Sequence, residues 1–458
     1  MNTRVFREYD IRGNADRDLG DDFVTALGRA IGTYQRRKGK TTMALGRDPR
    51  THSPRLHAAL LLGLQSTGVE VVDVGMVPTP MLYFAVFHLD TDGGVQITGS
   101  HNPGEDNGFK ILSGKTTIHG AEIQALRRLI ESGDFVKETS PPVRHVSIDA
   151  AYTDIVKERT IIGARKMKVV VDAGNGAGGI AGPILRNLGF DVTELYCEPD
   201  GRFPNHHPDP TVEANVEDLK KKVKEVGAEV GIALDGDADR LGVVDSRGRM
   251  VWGDQLMILF ARAILKEIPG ATFVSEVKCS KSLYDEIERA GGKAIMWKVG
   301  HSLIKEKMKA EHAQLAGEMS GHIFFQHRYF GFDDAIYSAA RLLEILSSSP
   351  MTLAEHVDTL PQMFNTPELR HELPDDIKFE VVKLAVARFK REFEVNDIDG
   401  ARVTWPDGGG WALVRASNTQ AALVLRFEAP SESRLQEIRS FVERELRVIE
   451  TQVRAAHS

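Results

Sequence analysis

A short polar loop around Ser100 contains the residue types that nucleophilic chemistry requires. Residues 98–103 read TGSHNP and follow the short apolar segment Gly94 to Ile97. A glycine and an Asn-Pro step favour a sharp turn that presents the serine outward. A serine hydroxyl needs a base, a metal ion or prior phosphorylation, and His101 and Lys110 are nearby polar candidates. The G-x-S-x-G pattern of a nucleophile elbow is missing, so a serine nucleophile of another kind and a plain polar turn both fit the loop.

Three aspartates in a later loop have the spacing of a site for a hard cation. Asp235, Asp237 and Asp239 alternate directly after the apolar run Val230 to Leu234. Such carboxylates can converge on one ion, and without a cation they would repel one another. An EF-hand is excluded because its sixth position, a glycine, is Arg240 here. Magnesium shared with a phosphate oxygen therefore fits best, with Arg240 beside that phosphate, and an acidic surface turn is the alternative.

Two further loops are ambiguous when each is considered alone. Residues 317–322 (GEMSGH) set a carboxylate, a hydroxyl and an imidazole between glycines, which suits sugar hydroxyls but equally a helix-capping turn. Residues 415–419 (RASNT) offer a donor-rich cradle for phosphate, or a surface turn between two strands. Together the four loops supply a nucleophile, a cation site, a group that reads sugar hydroxyls and an anion clamp. Independent polar turns would seldom produce so complementary a set.

Alternating strands and helices must position these loops. Short, uniformly apolar runs alternate with helical patterns, which predicts an α/β protein with buried parallel strands. The predicted strands include Val71 to Val74, Lys168 to Val171, Gly231 to Leu234 and Thr272 to Val274, and the predicted helices Leu56 to Ser66, Ala181 to Leu188, Val216 to Val226 and Ser282 to Ala290. Three strand-rich blocks before residue 360 have similar sizes, which fits a duplicated unit. The remainder reads as α+β, with a charged helix (Lys378 to Glu392), a glycine-rich turn (Asp407 to Gly410) and a final amphipathic helix.

Proline- and serine-rich stretches indicate where domains meet. Lys137 to Val146 reads as a linker, and Val244 to Gly253, which holds a turn at residues 246–248, is a weaker boundary. Ser347 to Pro350, followed by Pro361 to Pro374, precedes a different kind of sequence. At roughly 150 residues per domain, a chain of 458 residues favours three domains, with two or four allowed.

The bulk composition excludes several classes of protein. The 58 lysines and arginines against 65 aspartates and glutamates leave a net charge of −7, so neither nucleic acid nor an anionic membrane is expected as the main partner. An anionic small substrate stays compatible with this charge. Cys197 and Cys279 form no disulfide framework or zinc-ligand spacing. With no apolar signal core at residues 1–13 and no membrane span, we expect a cytoplasmic protein.

The motifs, their order and their spacing resemble those of the α-D-phosphohexomutase superfamily, and most closely its bacterial phosphomannomutase/phosphoglucomutase group. The resemblance runs from residues 6–13 (FREYDIRG) to the Arg415 loop. It implies four domains around a central cleft, of which three are similar α/β domains with mixed sheets and the last is α+β. We place them at 1–146 (phosphoserine loop), 147–249 (metal loop), 250–361 (sugar-recognition loop) and 362–458 (phosphate-binding loop).

The resemblance also implies a role for each matching residue. Ser100 matches the family's phosphoserine, whose phosphate would help Asp235, Asp237 and Asp239 to bind Mg²⁺. The implied catalytic residues are Ser100, His101, Lys110, Arg240 and His301. The implied substrate-binding residues are Tyr9, Arg12, Lys278, His301, Glu318, Ser320, His322, Arg415, Ser417, Asn418 and Thr419. One departure is Gln420-Ala421, where many members carry an acid and a proline, but this pair lies behind the phosphate donors.

Such an enzyme would move a phosphoryl group reversibly between C1 and C6 of a mannose or glucose phosphate. A hexose 1,6-bisphosphate would be both intermediate and activator. Phosphoglucosamine mutase is the alternative, although the GEMSGH and SNT forms of the loops favour a hexose mutase. The expected partner is a small sugar phosphate, and we expect a monomer or a weak dimer.

Two interpretations from other classes compete with this one. Residues 174–179 (GNGAGG) satisfy G-x-G-x-x-G after a strand, with Glu194 about twenty residues on, as in dinucleotide-binding proteins. Pro183 follows soon afterwards, however, and no pattern for a hydride-transfer site is present. The other alternative is a non-catalytic sugar-phosphate sensor, against which the intact Ser100 and aspartates argue.

Overall fold

Four separate β-sheets of consecutive strands organise the chain in this computed structural model, which describes residues 2–417 and 420–457. The first three sheets are mixed and alternate with helices, and the fourth is antiparallel. The predicted α/β architecture with an α+β domain at the end is confirmed. No helix in the described parts of the chain has both the length and the hydropathy needed to cross a membrane.

The first sheet has the strand order β1-β5-β4-β2-β3-β7, with β6 attached to β5. Its strands are β1 (Ile11–Asn14), β2 (Thr42–Arg47), β3 (Glu70–Met76), β4 (Gly93–Ile97), β5 (Asp106–Ser113), β6 (Thr116–Thr117) and β7 (Arg144–His145). Its helices are α1 (Asp21–Arg37), α2 (Ser53–Gln65), α3 (Thr79–His88) and α4 (Ala121–Ser132). Strand β7 lies within the predicted linker 137–146 and pairs in parallel with β3, so the linker prediction is wrong there. A strand of two residues has no hydrophobic period that could reveal it.

The next two sheets have the orders β12-β11-β10-β8-β9 and β14-β13-β15-β16. Their strands are β8 (Lys168–Asp172), β9 (Asp191–Leu195), β10 (Val230–Leu234), β11 (Leu241–Asp245), β12 (Met250–Val251), β13 (Thr272–Glu276), β14 (Lys293–Trp297), β15 (Leu315–Gly317) and β16 (Ile323–Phe325). The accompanying helices are α5 (Asp149–Glu158), α6 (Ala181–Asn187), α7 (Glu217–Val226), α8 (Gly253–Glu267), α9 (Lys281–Arg289), α10 (His301–Ala310), α11 (Ala335–Ser347) and α12 (Leu353–Asp358). The predicted turn at residues 246–248 joins β11 to β12 within one sheet.

The three mixed sheets share one four-strand topology. The runs β5-β4-β2-β3, β11-β10-β8-β9 and β16-β15-β13-β14 have the same order relative to the chain. In each run the first three strands of the chain are mutually parallel and the fourth returns antiparallel. This equivalence supports the duplicated unit that the similar block sizes indicated.

The C-terminal domain has an antiparallel sheet of order β17-β22-β21-β20-β19, with β18 also paired to β22. Its strands are β17 (Phe364–Asn365), β18 (Leu369–Glu372), β19 (Glu394–Asn396), β20 (Ala401–Thr404), β21 (Trp411–Ala416) and β22 (Ala422–Ala429). Its helices are α13 (Lys378–Phe389) and α14 (Glu432–His457), so the predicted charged helix ends three residues early, ahead of β19.

The apolar core is divided between the domains unequally. One continuous cluster of buried side chains extends from α3 of the first domain, through the second, to Leu360 at the end of the third. The C-terminal domain packs its own cluster between its sheet and the helices α13 and α14. Most of the first domain's sheet and helices pack around a further cluster of their own. Because apolar burial is the main stabilising term, the shared cluster ties the first three domains together, and the fourth is joined to them by a smaller contact.

Helices α1 and α2 approach closely where two glycines face each other. A Cβ on Gly63 would lie 2.2 Å from Thr25 O and 2.8 Å from Gly28 Cα. Alanine in place of glycine normally stabilises a helix by about 1 kcal/mol. Here the helices would have to separate, which typically costs about 1–3 kcal/mol, so we expect Gly63→Ala to lower the free energy of unfolding in urea denaturation. Gly104→Ala, at an exposed loop position where a methyl group would meet nothing within 4 Å, is the control. An unchanged stability for Gly63→Ala would contradict the close helix contact.

Candidate active site

All four chemically interesting loops occupy the same kind of position. Each connects a central strand to its antiparallel neighbour: β4 to β5, β10 to β11, β15 to β16 and β21 to β22. In the three mixed sheets the central strand also pairs with a parallel strand, and loops at the carboxyl ends of parallel strands are where α/β proteins bind ligands. The repeated topology therefore places one functional loop per domain.

The Ser100 loop is brought directly against the aspartate loop. Ser100 is 2% exposed, and its Oγ donates to Asp235 Oδ2 at 2.7 Å and lies 3.0 Å from His101 Nδ1. A Cβ on Gly236 would lie 2.4 Å from Ser100 O, so only glycine allows this approach. Burial and the neighbouring Arg240 lower the pKa of His101 well below its ordinary value, which leaves its imidazole neutral. A hydroxyl, a neutral imidazole and a carboxylate thus share one buried space.

The three aspartates form a compact, fully buried group. One carboxylate oxygen from each of Asp235, Asp237 and Asp239 lies within 4.8 Å of the others. Burial and its two carboxylate neighbours raise the pKa of Asp235 well above its ordinary value. In the described residues, Asp237 Oδ1 and Asp239 Oδ1 are buried without a hydrogen-bond partner. Oxygen ligands that are close, repel one another and lack donors fit a small divalent cation such as Mg²⁺.

Lys110 balances part of this negative charge. Its Nζ donates to Asp237 Oδ2 at 2.7 Å and also to Asp239, although the residue lies on β5 of the first domain. Burial favours the neutral amine, but the charges of the two aspartates outweigh it and raise the pKa of Lys110 well above its usual value. Thr79 Oγ1 reaches Asp237 Oδ2 at 2.5 Å. The first domain therefore surrounds the aspartate loop with donors.

Arg240 and the sugar-recognition loop are held together by His322. Arg240 Nε donates to His322 Nε2 at 3.0 Å. The other ring nitrogen, Nδ1, lies 3.1 Å from Asp333 Oδ2. This chain of contacts joins the second domain to the third and places a guanidinium beside the aspartates, where an anion would meet it.

A turn at residues 299–301 links the sugar-recognition loop to the first and last domains. Gly300 N donates to Glu318 Oε1 at 3.0 Å, and Ser320 Oγ donates to Glu318 Oε2 at 3.0 Å. Tyr9 Oη donates to Val299 O at 2.8 Å. His301 begins α10, and its ring stacks at 5.9 Å on that of His322.

His301 lies deep in this arrangement. Burial, assisted by the nearby Lys305 ammonium, lowers the pKa of His301 well below its ordinary value. Its Nδ1 has no hydrogen-bond partner among the described residues. A neutral imidazole with a free ring nitrogen can accept a proton from a substrate hydroxyl.

The phosphate-binding loop meets the same turn from the C-terminal domain. Arg415 Nε lies 3.2 Å from Asp399 Oδ2, which also accepts from Val299 N at 3.0 Å. Ser417 Oγ accepts from Gln420 N at 3.1 Å. The last two predicted members of the loop, Asn418 and Thr419, lie outside the described residues.

Two remaining predicted residues are each held by carboxylates. Lys278 Nζ lies 3.2 Å from Glu368 Oε2 of the C-terminal domain and 3.9 Å from Glu276 Oε1. Burial opposes its charge, but these carboxylates raise the pKa of Lys278. Arg12, on β1, donates to Asp10 at 2.7 Å and to the Asn102 side chain in the Ser100 loop.

The glycine-rich stretch 174–179 has a structural use. Ala177 N donates to Gly236 O at 2.9 Å, and a Cβ on Gly176 would lie 2.6 Å from that same oxygen. The following helix α6 has only seven residues. The glycines thus let this loop pack against the backbone of the aspartate loop.

The structure also adds polar residues that the sequence did not indicate. Thr79, Asp333 and Asp399 contact predicted site residues, and Arg50 and Asp48 hold the Ser100 loop. Asp48 and Arg50 follow the end of β2, a strand parallel to β4. In the sequence, these two residues stand in GRDPR (residues 46–50), directly after an apolar strand, and this position is the one feature from which their role could have been predicted.

Known proteins resemble the chain throughout its length. Sequence models described as "Phosphoglucomutase/phosphomannomutase" match it in order: alpha/beta/alpha domain I at residues 3–137, domain II at 150–248, domain III at 252–364 and the C-terminal domain at 368–445.

Individual relatives agree with this match. The phosphomannomutase/phosphoglucomutase of Pseudomonas aeruginosa is 46% identical over 451 residues, 98% of this chain and 96% of that protein. The phosphoglucomutase of Neisseria gonorrhoeae is 46% identical over 441 residues, 95% of each chain. The crystal structure of a phosphoglucomutase/phosphomannomutase family protein from Burkholderia thailandensis superposes with a TM-score of 0.93 at 39% identity and covers 98% of both chains. The chain therefore belongs to the phosphoglucomutase/phosphomannomutase family, within the α-D-phosphohexomutase superfamily.

Proposed function

We propose that this enzyme transfers a phosphoryl group reversibly between C1 and C6 of mannose or glucose phosphate through phosphorylated Ser100. The observation that carries the proposal is the 2.7 Å contact between Ser100 Oγ and Asp235, which joins the nucleophile of one domain to the cation site of another. Phosphoryl transfer depends on such positioning and on neutralised charge. Proteins similar over nearly the full chain carry the names of both activities.

Asp235, Asp237 and Asp239, with the phosphate on Ser100, would hold Mg²⁺, which enzymes of this family use. When bound, the ion supplies charge neutralisation for the transferring group and for the serine oxygen that is left behind. Lys110 and Arg240 add fixed positive charge beside the same carboxylates. The protein part of the site is therefore arranged to bind a dianionic group.

Proton transfer accompanies both half-reactions. In the first transfer, the sugar hydroxyl that attacks phospho-Ser100 loses a proton and the departing serine oxygen gains one. In the return transfer, the attacking Ser100 hydroxyl loses its proton and the departing sugar oxygen gains one. His301 and Lys110 are the candidates for these proton transfers. His301 has an unpartnered Nδ1 among the described residues, and Lys110 Nζ lies 2.7 Å from Asp237 beside the Ser100 loop. His101 contacts Ser100 Oγ directly and can orient it.

Substrate recognition is divided between the third and fourth domains. Glu318, Ser320, His322 and Lys278 would contact sugar hydroxyls, with Tyr9 and Arg12 closing the site from the first domain. Arg415 and Ser417, with Asn418 and Thr419, would grip the phosphate that is not transferred. The hexose 1,6-bisphosphate formed by the first transfer must turn end over end before its other phosphate returns to Ser100. The separate core of the C-terminal domain allows that domain to open during the turn.

The four-domain division at 146/147, 249/250 and 361/362 belongs to this proposal. The described sheets support the boundaries at 146/147 and 361/362, which no sheet crosses. At 249/250 the second sheet continues for two residues past the boundary, because β12 (Met250–Val251) pairs with β11. Under this proposal, small sugar phosphates are the ligands, and a monomer or weak dimer in the cytoplasm remains our expectation.

A parallel turnover assay tests the substrate assignment. Glucose, mannose and glucosamine 1-phosphates are each supplied with Mg²⁺ and a trace of the matching bisphosphate. We expect turnover of the glucose and mannose compounds and little of the glucosamine compound. Turnover of glucosamine 1-phosphate alone would favour the phosphoglucosamine mutase alternative.

Arg415→Ala should weaken substrate binding and leave the serine chemistry intact. The guanidinium contributes charge-assisted hydrogen bonds to a phosphate, each worth about 1.5–3 kcal/mol, so we expect the KM to rise about 10- to 100-fold. Ser100 should still be phosphorylated by the bisphosphate, as measured by mass spectrometry. Arg454→Ala, on the exposed face of α14, is the matched control. An unchanged KM for Arg415→Ala would refute this role.

A further inference from the structure

Arg50 makes an unusual set of contacts to the loop that carries Ser100. The residue is fully buried and follows the end of β2. Its two terminal nitrogens donate to four main-chain carbonyl oxygens: Nη1 to Pro103 at 2.6 Å and Asp106 at 2.9 Å, and Nη2 to Asn102 at 2.6 Å and Ser100 at 2.9 Å. One planar group therefore holds the carbonyls of almost the whole loop.

The backbone of this loop needs such support. Ser100 has a φ of +48°, a left-handed conformation that typically costs a residue with a Cβ about 1–3 kcal/mol. Ser100 N donates to Thr98 Oγ1 at 2.8 Å, and Gly99 N donates to Asp48 Oδ2 at 3.0 Å. These bonds satisfy two amides of the turn, while Arg50 binds four carbonyl oxygens in and directly after it. Hydrogen bonds to amides and to carbonyls of the turn thus stabilise the left-handed conformation of Ser100.

The second domain covers the opposite face of the guanidinium. The ring of Phe203 lies 5.2 Å from Arg50 Cζ, and Gly201 forms a β-bridge with Arg50. A Cβ on Gly201 would lie 2.2 Å from Pro49 O, so the two backbones are in direct contact. In the same segment, His207 Nε2 lies 2.6 Å from His101 O. Arg50 is thus enclosed between the nucleophile loop and the domain that carries the aspartates.

We propose that Arg50 is a positioning residue for phosphoryl transfer, whose guanidinium holds Ser100 Oγ in register with the aspartate triplet. This inference rests on the proposed function of Ser100. Arg50 does not touch the transferring group, because its donors are all directed to the main chain or enclosed by Asp48 and Phe203. It acts on the reaction through the position of the Ser100 backbone.

Lysine cannot replace this side chain. An ammonium group presents three donors from one atom, whereas the four carbonyls are spread along the loop and need the forked geometry of a guanidinium. In Arg50→Lys at least one carbonyl of the loop loses its partner. A displacement of the nucleophile by about 1 Å can reduce the rate by about 100-fold without affecting distant binding contacts.

The test compares Arg50→Lys with a matched control in the full-length enzyme with Mg²⁺. Arg165 is less deeply buried than Arg50 but also donates to main-chain carbonyls, those of Leu346, Ser349 and Met351, and it lies outside the active site. For Arg50→Lys we expect kcat to fall about 30- to 100-fold with a KM within about threefold of wild type. The single-turnover transfer from phospho-Ser100 to glucose 6-phosphate should slow equally. Arg165→Lys should lower the Tm and keep kcat within about twofold.

The outcomes separate this inference from the proposed function. Failure of the wild-type protein to form phospho-Ser100 or to turn over sugar phosphates would refute the function itself. An active wild type with an equally active Arg50→Lys would overturn only the positioning role, as would an equal loss of kcat in Arg165→Lys.

If Arg50→Lys does not fold, Phe203→Leu keeps the site buried but removes the stacked ring. We expect it to lower kcat about 3- to 10-fold at an unchanged KM, and a wild-type kcat would overturn the proposal.

Discussion

Ser100→Ala is expected to lose essentially all mutase turnover, by at least about 10⁴-fold, because the proposed mechanism carries the phosphoryl group on the Ser100 hydroxyl between the two half-reactions. The variant should still fold. Alanine has the same Cβ as serine, so it meets the left-handed φ of +48° at the same cost, and only the hydroxyl contacts to Asp235 and His101 are lost. Turnover of glucose 1-phosphate is measured in a coupled assay, and mass spectrometry of the wild type should find a phosphopeptide that contains Ser100.

The matched control is Ser132→Ala, an exposed serine at the end of α4 whose hydroxyl donates to Leu129 O and accepts from Asp134 N. It should keep wild-type turnover. Normal mutase activity in Ser100→Ala, or phosphate on a different residue of the active wild type, would refute the mechanism and leave the fold assignment untouched.

Asp237→Asn is expected to produce the second largest effect, through loss of the cation. Asp237 Oδ2 accepts hydrogen bonds from Lys110 Nζ and Thr79 Oγ1, so the amide oxygen of asparagine must take this position. The NH₂ group then replaces Oδ1, the buried oxygen that lacks a donor, and directs its hydrogens towards the other carboxylates of the site. Changes to residues that merely support metal ligands weaken binding by about 10- to 100-fold, and we expect at least this for Mg²⁺ here.

Two measurements distinguish loss of the ion from general damage. The Mg²⁺ concentration for half-maximal turnover should rise at least about tenfold, and calorimetric Mg²⁺ binding should weaken in parallel without any substrate present. Asp200→Asn, a partly exposed aspartate of the same domain that pairs with Arg202, should change neither value. Wild-type Mg²⁺ affinity in Asp237→Asn would exclude the aspartate triplet as the cation site.

The parts of the site that lie within one loop could be predicted from the sequence. Each of the four functional loops lies at the end of a strand whose apolar residues are buried. Since a buried strand leaves its polar continuation at the sheet edge, a short motif of this kind shows both its chemistry and its position. The strands and helices predicted around these loops were confirmed within a few residues at their ends.

Contacts between loops could not be predicted from the sequence, since they join residues that are far apart in the chain. Lys110 meets Asp237 across 127 positions, and Thr79 meets it across 158. Arg50 bonds to carbonyl oxygens, which every residue has, so no side-chain pattern identifies its targets. Strand β7 was interpreted as linker because two residues show no period.

The amino-acid sequence by itself determined which chemical groups this enzyme possesses and in which loops they occur, because strand burial and turn chemistry act over a few neighbouring residues. Only the tertiary structure decided which groups face one another. That arrangement depends on the packing of domains, where close contacts such as Gly236 against Ser100 permit one approach and exclude others. The convergence of nucleophile, carboxylates and cations into one buried site is therefore a property of the packed domains.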